Sequence, residues 1–139
     1  MKVERIGVIG AGQMGSGIAH VCALAGYDVL VEDINPDALT KAKDLIGKNL
    51  QRQVSRSLVS DPDAKAAIGR IKTTTNPDDL KGRDLIIEAA TENEAVKRKI
   101  FQDLCPRIDR NTMIATNTSS ISITRLAAST DRPERFIGL

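Results

Sequence analysis

Gly10-Ala-Gly-Gln-Met-Gly15 lies directly between a short apolar run, Arg5–Ile9, and a helical pattern over Gln13–Leu24. A chain that passes from a buried strand into a helix through three glycines has few folds open to it. Gly10 permits the tight turn. Gly12 lets the backbone approach a pyrophosphate with no Cβ in the way, and Gly15 allows the helix to pack closely on the strand. The helix start presents unpaired N–H groups and the positive end of its dipole to the same point, which adds Gln13 and Met14 to the candidate ligand-holding positions. With no ligand to serve, three glycines would only weaken the helix.

Asp33 closes a second apolar run, Asp28–Glu32. It falls about 20 residues past the glycines, the spacing at which an acid meets the hydroxyls of an adenosine ribose. Glu32 adds a second negative charge, and no Lys or Arg follows before Lys41. A 2′-phosphate would be repelled there, so the pattern favours NAD over NADP.

Beyond Asp33 the periodicity keeps alternating. Asn35-Pro36 reads as a helix cap followed by proline at the first helical position. The helix it opens is predicted to run to about Leu58, with Leu39, Ala42, Leu45, Ile46, Leu50 and Val54 on one apolar stripe. A shorter helix follows from Asp61-Pro62 to about Ile68. Strands are predicted at 71–74, 84–88, 112–116 and 136–139, and helices at 94–104 and 121–128. Strands alternating with helices predict a parallel α/β sheet with right-handed crossovers, and 139 residues suffice for one domain. The stretch from about 36 to 69 is an unusually long helical arm after the second strand.

Composition narrows the function classes. With 20 basic and 18 acidic residues the net charge is +2, too even for a general nucleic-acid or anionic-membrane footprint. The uncharged stretch Ile6–Tyr27 is too interrupted by Gly, Gln, Ser and His to span a membrane. No hydrophobic segment of signal-peptide type opens the chain. Cys22 and Cys105 stand apart from any metal-ligand spacing, as buried thiols of a reducing compartment do. These features together predict a soluble cytoplasmic domain without a metal.

In a parallel sheet of this kind ligands bind outside the carboxyl ends of the strands. After the fourth strand comes Glu88-Ala-Ala-Thr-Glu92-Asn93, followed by Lys97; after the fifth comes Asn117-Thr-Ser119-Ser120. A carboxylate at Glu92 can take ribose hydroxyls, and an ammonium at Lys97 can reach either a carboxylate or the ligand. Four hydrogen-bonding side chains in a row are more than a helix cap needs. The surplus suits a nicotinamide amide or a substrate oxygen.

Three motifs in order, Val8-Ile-Gly10-Ala-Gly-Gln-Met-Gly15, Glu88-Ala-Ala-Thr-Glu-Asn93 and Asn117-Thr-Ser-Ser120, resemble the N-terminal domain of the 3-hydroxyacyl-CoA dehydrogenases, in particular the bacterial 3-hydroxybutyryl-CoA group. The resemblance covers essentially the whole chain and implies a Rossmann-type, doubly wound, mainly parallel sheet. It implies interconversion of (S)-3-hydroxyacyl-CoA and 3-oxoacyl-CoA with NAD, in fatty acid and butanoate metabolism. On that resemblance the Gly10–Gly15 loop and Asp33 hold NAD, and Glu92, Lys97 and Asn117 line its nicotinamide half. Ser119 is the hydroxyl that bonds the reacting substrate oxygen.

The resemblance also gives the arm a role. Lys48, Asn49, Arg52 and Arg56 would meet the nucleotide end of the acyl-CoA substrate, although the family usually has Ser and Lys where this chain has Asn49 and Arg56. A catalytic histidine, the glutamate that orients it and a helical dimerisation domain are expected beyond Leu139. The 139 residues alone are therefore expected to bind NAD without useful turnover, and the full-length protein to be a homodimer. His20, in the packed first helix, is not expected to replace that histidine. Two other readings stay open from the residues: a dehydrogenase of small hydroxy acids, which has no use for a basic arm, and a non-catalytic NAD-sensing module.

Overall fold

A computed structural model describes residues 2–118 and 121–139. The chain alternates β1 (Arg5–Ile9), α1 (Gln13–Leu24), β2 (Asp28–Glu32), α2 (Pro36–Ser55), α3 (Asp61–Gly69) and β3 (Ile71–Thr74), then β4 (Leu85–Glu88), α4 (Glu94–Leu104), β5 (Met113–Thr116), α5 (Ile123–Ala128) and β6 (Phe136–Gly138). Three 3₁₀ turns, Pro77–Leu80, Cys105–Arg107 and Pro133–Arg135, complete it. The strands form one sheet in the order β3-β2-β1-β4-β5-β6, parallel throughout. This is the expected doubly wound arrangement, and the order reverses at β1 and β4. Ile9 is in register with both Glu32 and Glu88, so the strand ends at that switch point are level.

Each sheet face is covered by helices, so the strands are apolar on both sides. Val8, Val29, Val31 and Ile71 pack with Leu39, Ala42, Ile46 and Leu50 of α2. On the other face Leu30, Ile86 and Ile114 pack with Phe101, Leu126 and Phe136. Phe101 and Phe136 meet edge to face at 5.1 Å, which uses two of the chain's three aromatic rings in one contact.

Helix starts follow the sequence signals. Asn35, Ser60, Asn93 and Ser122 accept from Asp37, Asp63, Val96 and Arg125 N–H respectively, which satisfies donors the helices cannot pair internally. Helix ends are less legible. α2 stops at Ser55 rather than near Leu58, because Ser57 adopts the left-handed region (φ 57°) and Leu58 N–H donates back to the Gln53 carbonyl. Leu58 is left 69% exposed. Leu45, placed on the apolar stripe from its spacing, is on the edge of that stripe and 37% exposed.

The fourth strand starts at Leu85, one residue late, because the Asp84 carboxylate turns to accept the N–H groups of Glu4 and Arg5. The fifth strand likewise starts at Met113, since Thr112 donates its hydroxyl to the Arg83 carbonyl. Arg132 is only 3% exposed and its guanidinium donates to the carbonyls of Asp109, Thr112 and Cys105. One side chain thereby ties the end of α4 to the start of β5. His20 is buried against α2 with Nε2 2.8 Å from Gln53 Oε1, the packed position expected of it. Cys22 is half-buried and Cys105 buried, and both are free thiols.

Three carboxyls titrate below the ordinary aspartate value of 3.8: Asp28 through its hydrogen bond from Arg83, Asp84 through the Glu4 and Arg5 N–H groups, and Asp131 through Arg132. Depressed folded-state values add stability that is complete above the unfolded-state value and is lost as pH falls through the folded-state values. The urea midpoint is therefore expected to fall as pH drops below 3.8. Asp84→Asn should lower the midpoint at neutral pH and flatten that acid limb; an unchanged limb would remove Asp84 from the account.

Candidate functional site

The switch point is built around backbone. Gly10 has φ +105°, and a Cβ there would lie 2.8 Å from Ala90 Cα and 2.9 Å from the Ala89 carbonyl. A Cβ on Gly15 would lie 1.8 Å from the Gly10 carbonyl oxygen, so no side chain fits. Gly12 differs. A Cβ there would meet nothing within 4 Å, so the fold itself places no demand on it and the space lies on the open side of the turn. Gly12 is also the N-cap of α1 and supplies no side-chain acceptor, and the first turn of α1 holds no acid. Helices α2 to α5 are each capped by a side chain. The end of α1 is thus the one whose N–H groups and dipole are left for an anion.

Asp33 sits beside this end and is held from two sides. Oδ2 accepts from Ala11 N–H and Oδ1 from Asn35 N–H, both at 2.9 Å. A carboxylate has about four acceptor directions, so each oxygen keeps one for a hydroxyl. The first bond also ties the end of β2 to the glycine turn. From Asp33 a cleft of about 460 Å³ runs down between the end of β2 and α4. Its walls are mostly apolar, from Ile34, Pro77, Leu80, Val96, Ile100 and Leu104. Gly10 and Ala90 form its rim toward the turn.

On the far side of the switch point lies a buried polar cluster. Lys97 was expected against the nicotinamide half of the cofactor, yet its side chain is 0% exposed. Its ammonium is ion-paired with the Glu88 carboxylate and donates to Thr116 Oγ1 at 3.3 Å. Thr116 donates to Glu88 Oε1 at 2.8 Å, and Ala90 N–H donates to Glu88 Oε2 at 2.7 Å. Of the two partners the sequence offered Lys97, a carboxylate or a ligand, the fold supplies the carboxylate. Glu88 and Thr116 were not singled out from sequence. The available signal was a charged residue ending an otherwise apolar, doubly covered strand, which demands an internal partner.

Glu92 accepts from the Thr118 hydroxyl at 2.8 Å, which joins the loops after β4 and β5. Asn117 stands at the tip of β5, where its N–H donates to the Glu88 carbonyl. The topology therefore gathers the glycine turn, Asp33, Glu92 and Asn117 at the carboxyl ends of the central strands. Ser119 lies outside the described residues.

The basic arm residues come together elsewhere, on the exposed face of α2. Lys48, Arg52 and Arg56 line an open groove of about 450 Å³ with Gly47, Gln51 and Ser55. Asn49 does not line it; its Oδ1 accepts from Arg52 Nη1 at 3.4 Å and so orients that guanidinium. No groups that could hold a metal occur among the described residues, and no helix among them is long and apolar enough to cross a membrane.

Comparison with known proteins agrees with this geometry. Residues 5–139 match the family described as 3-hydroxyacyl-CoA dehydrogenase, NAD binding domain. A 3-hydroxybutyryl-CoA dehydrogenase of Bradyrhizobium diazoefficiens is 53% identical over 137 residues, covering 99% of this chain and 47% of that protein. One from Mycobacterium tuberculosis is 44% identical, covering 99% and 48%. Among solved structures, the (S)-3-hydroxybutyryl-CoA dehydrogenase of Ralstonia eutropha superposes with a TM-score of 0.96 at 44% identity, over 99% of this chain and 48% of that one. The chain spans about half the length of these relatives.

The buried pair gives a stability test. Lys97→Met leaves the Glu88 charge without its partner and should lower unfolding free energy by about 3–5 kcal/mol. Adding Glu88→Gln should recover most of that loss, because the remaining group is neutral and keeps the Ala90 and Thr116 bonds. Chemical denaturation of the two variants decides it: a loss under about 1 kcal/mol in the single variant would show that the pair supports little.

Proposed function

The chain belongs to the 3-hydroxyacyl-CoA dehydrogenase family as its NAD-binding domain, and from that premise we propose that it holds the NAD of an enzyme interconverting (S)-3-hydroxyacyl-CoA and 3-oxoacyl-CoA. The observation that carries this reading is the Asp33 carboxylate bonded to the glycine turn. It sets a hydroxyl-accepting group beside an uncapped helix start. The residues fit the cofactor. Gly12 leaves the approach clear, the start of α1 faces the diphosphate charge, and Asp33 keeps acceptor capacity for two ribose hydroxyls.

When bound, NAD supplies the hydride acceptor for oxidation of the 3-hydroxyl carbon. The chain's own residues hold and orient. Glu92 and Asn117 face the nicotinamide end. Lys97 contributes by fixing Glu88 and the Ala89-Ala90 backbone that forms the rim of the turn. Ser119 donates a hydrogen bond to the reacting substrate oxygen, where charge develops. A serine does not accept the hydroxyl proton at neutral pH, and general base catalysis of that kind contributes about 10²–10⁴ in rate. His20 is not placed for it, being buried on Gln53. The α2 groove receives the phosphates of coenzyme A on Lys48, Arg52 and Arg56, which a small hydroxy acid would not need. The free thiols and even charge suit a cytoplasmic setting.

Calorimetric titration should show NAD binding at least about tenfold tighter than NADP, the equivalent of one hydrogen bond to a charged group. Asp33→Ala should narrow the gap chiefly by weakening NAD. Equal affinities in the unaltered protein would overturn the assignment of Asp33.

Coenzyme A binding should weaken in an Arg52→Ala/Arg56→Ala variant, and its dependence on salt should shrink, because fewer phosphate–guanidinium contacts remain to be screened. An unchanged affinity and salt dependence would leave the stripe as a solvated face.

A further inference from the structure

β2 sends its last two acids to opposite faces. Val29 and Val31 pack on the α1 and α2 side, whereas Leu30 packs on the α4 side. Glu32, two residues past Leu30, follows it into the cleft, while Asp33 turns back to Ala11 N–H. Glu32 is 7% exposed and makes no side-chain hydrogen bond or ion pair with the described residues. Burial first, and then the neighbouring Asp33 charge, push its carboxyl above the ordinary glutamate value of 4.5. Arg107, on the cleft rim, is the one cation that lowers it, and its guanidinium is paired with Asp78. The Glu32 oxygens open only into the cleft, where water meets them until an entering ligand takes that water's place and must donate to them in turn.

The surroundings say what the donor is. The cleft walls are apolar, as a flat aromatic ring requires, and they continue from the ribose-holding Asp33. A ring entering from that ribose is a nucleobase, and its deep edge meets an acceptor rather than a donor. Adenine carries an amine at position 6; hypoxanthine and guanine carry an oxygen there.

We propose that Glu32 is a specificity-determining residue for the base: its carboxylate accepts the 6-amino group of adenine and turns away purines with a 6-oxygen. The proposal rests on the NAD reading above and adds a residue to it. Glu32 and Asp33 thus divide one nucleoside, Asp33 taking the sugar and Glu32 the base.

The test compares NAD with nicotinamide hypoxanthine dinucleotide, which carries a 6-oxygen in place of the amine and a proton on N1, by calorimetry on the full chain. The unaltered protein should bind NAD at least about tenfold tighter, as expected for one hydrogen bond to a charged acceptor. Glu32→Gln, whose amide can accept from the amine or donate to the oxygen, should bring the two within about twofold while leaving the NAD-over-NADP preference from Asp33 largely in place. If that variant does not fold, Glu32→Val provides the same comparison with no polar group in the cleft. Equal affinities in the unaltered protein, or a preference that survives both substitutions, overturn the proposal. Failure of NAD itself to bind removes the cofactor reading, and this one with it, so the two failures are distinguishable.

Discussion

The Gly10 carbonyl and the backbone of α1 at Gly15 approach so closely that a Cβ on Gly15 would fall 1.8 Å from the oxygen. This contact fixes where α1 begins relative to the end of β1, and with it the direction of the helix N-terminus across the switch point. The other ligand-facing features are referred to that origin. Asp33 reaches Ala11 N–H only because the turn brings that amide to the end of β2. The Ala89-Ala90 backbone forms a rim only because Gly10, with φ +105° and no Cβ, lets it pass. A larger residue at Gly10 or Gly15 would therefore do more than strain one turn, since it would separate the sugar-holding acid from the phosphate-facing amides.

A second anchor, on the other side of β4, is electrostatic rather than steric. Glu88, Lys97 and Thr116 are all fully buried, and removing two charges from water costs several kcal/mol per ion. The arrangement offsets that cost by using the acceptors fully: Glu88 receives Lys97, Thr116 and the Ala90 amide. Its position explains why an apolar filler would not do. Glu88 ends β4, Thr116 ends β5 and Lys97 comes from α4, so one polar cluster holds three elements to the level at which the ligand loops depart. An apolar cluster could fill the volume, but it would fix neither the Ala90 amide nor the level of the loops.

The parts of the structure legible in the sequence are those set by short-range rules. Strand positions followed from apolar runs, and the start of α2 from the Asn35-Pro36 cap, whose partner lies two residues away. Helix α5 starts at Ile123 rather than 121, because Ser122 is its cap. The glycine turn was legible because each glycine answers a local steric need. What escaped depended on partners far along the chain. Lys97 looks exposed in its own helix, and only the pairing of β4 with β5 brings a buried carboxylate and a hydroxyl to it. Asp84 looks like the first residue of a strand until Glu4 and Arg5, 80 and 79 residues earlier, offer their amides. Leu58 looks like the end of a stripe until the left-handed Ser57 turns the chain away. Spacing gathered Lys48, Arg52 and Arg56 along one groove, because Lys48 and Arg52 lie on α2 and Arg56 is its C-cap.

The distribution of charge then gives a domain near neutrality two distinct anion-facing surfaces. Around the switch point stand the acids Glu32, Asp33 and Glu92, while the nearby cations Lys97 and Arg107 are paired with Glu88 and Asp78, although the dinucleotide carries a diphosphate. Backbone amides and a helix dipole meet that diphosphate, and such groups are neutral, rigid and nearly independent of salt compared with mobile cations. Asp33 keeps acceptor capacity on both oxygens, and the summed charge of the acids opposes any extra phosphate. The cations are grouped instead on α2, where Lys48, Arg52 and Arg56 face solvent as flexible side chains. Contacts made by such cations are strong but screened, and they suit a ligand that must come and go better than a moulded cradle does. Separating the two sets along β2 and α2 keeps the rigid, salt-insensitive groups and the flexible, screened cations on different parts of one domain.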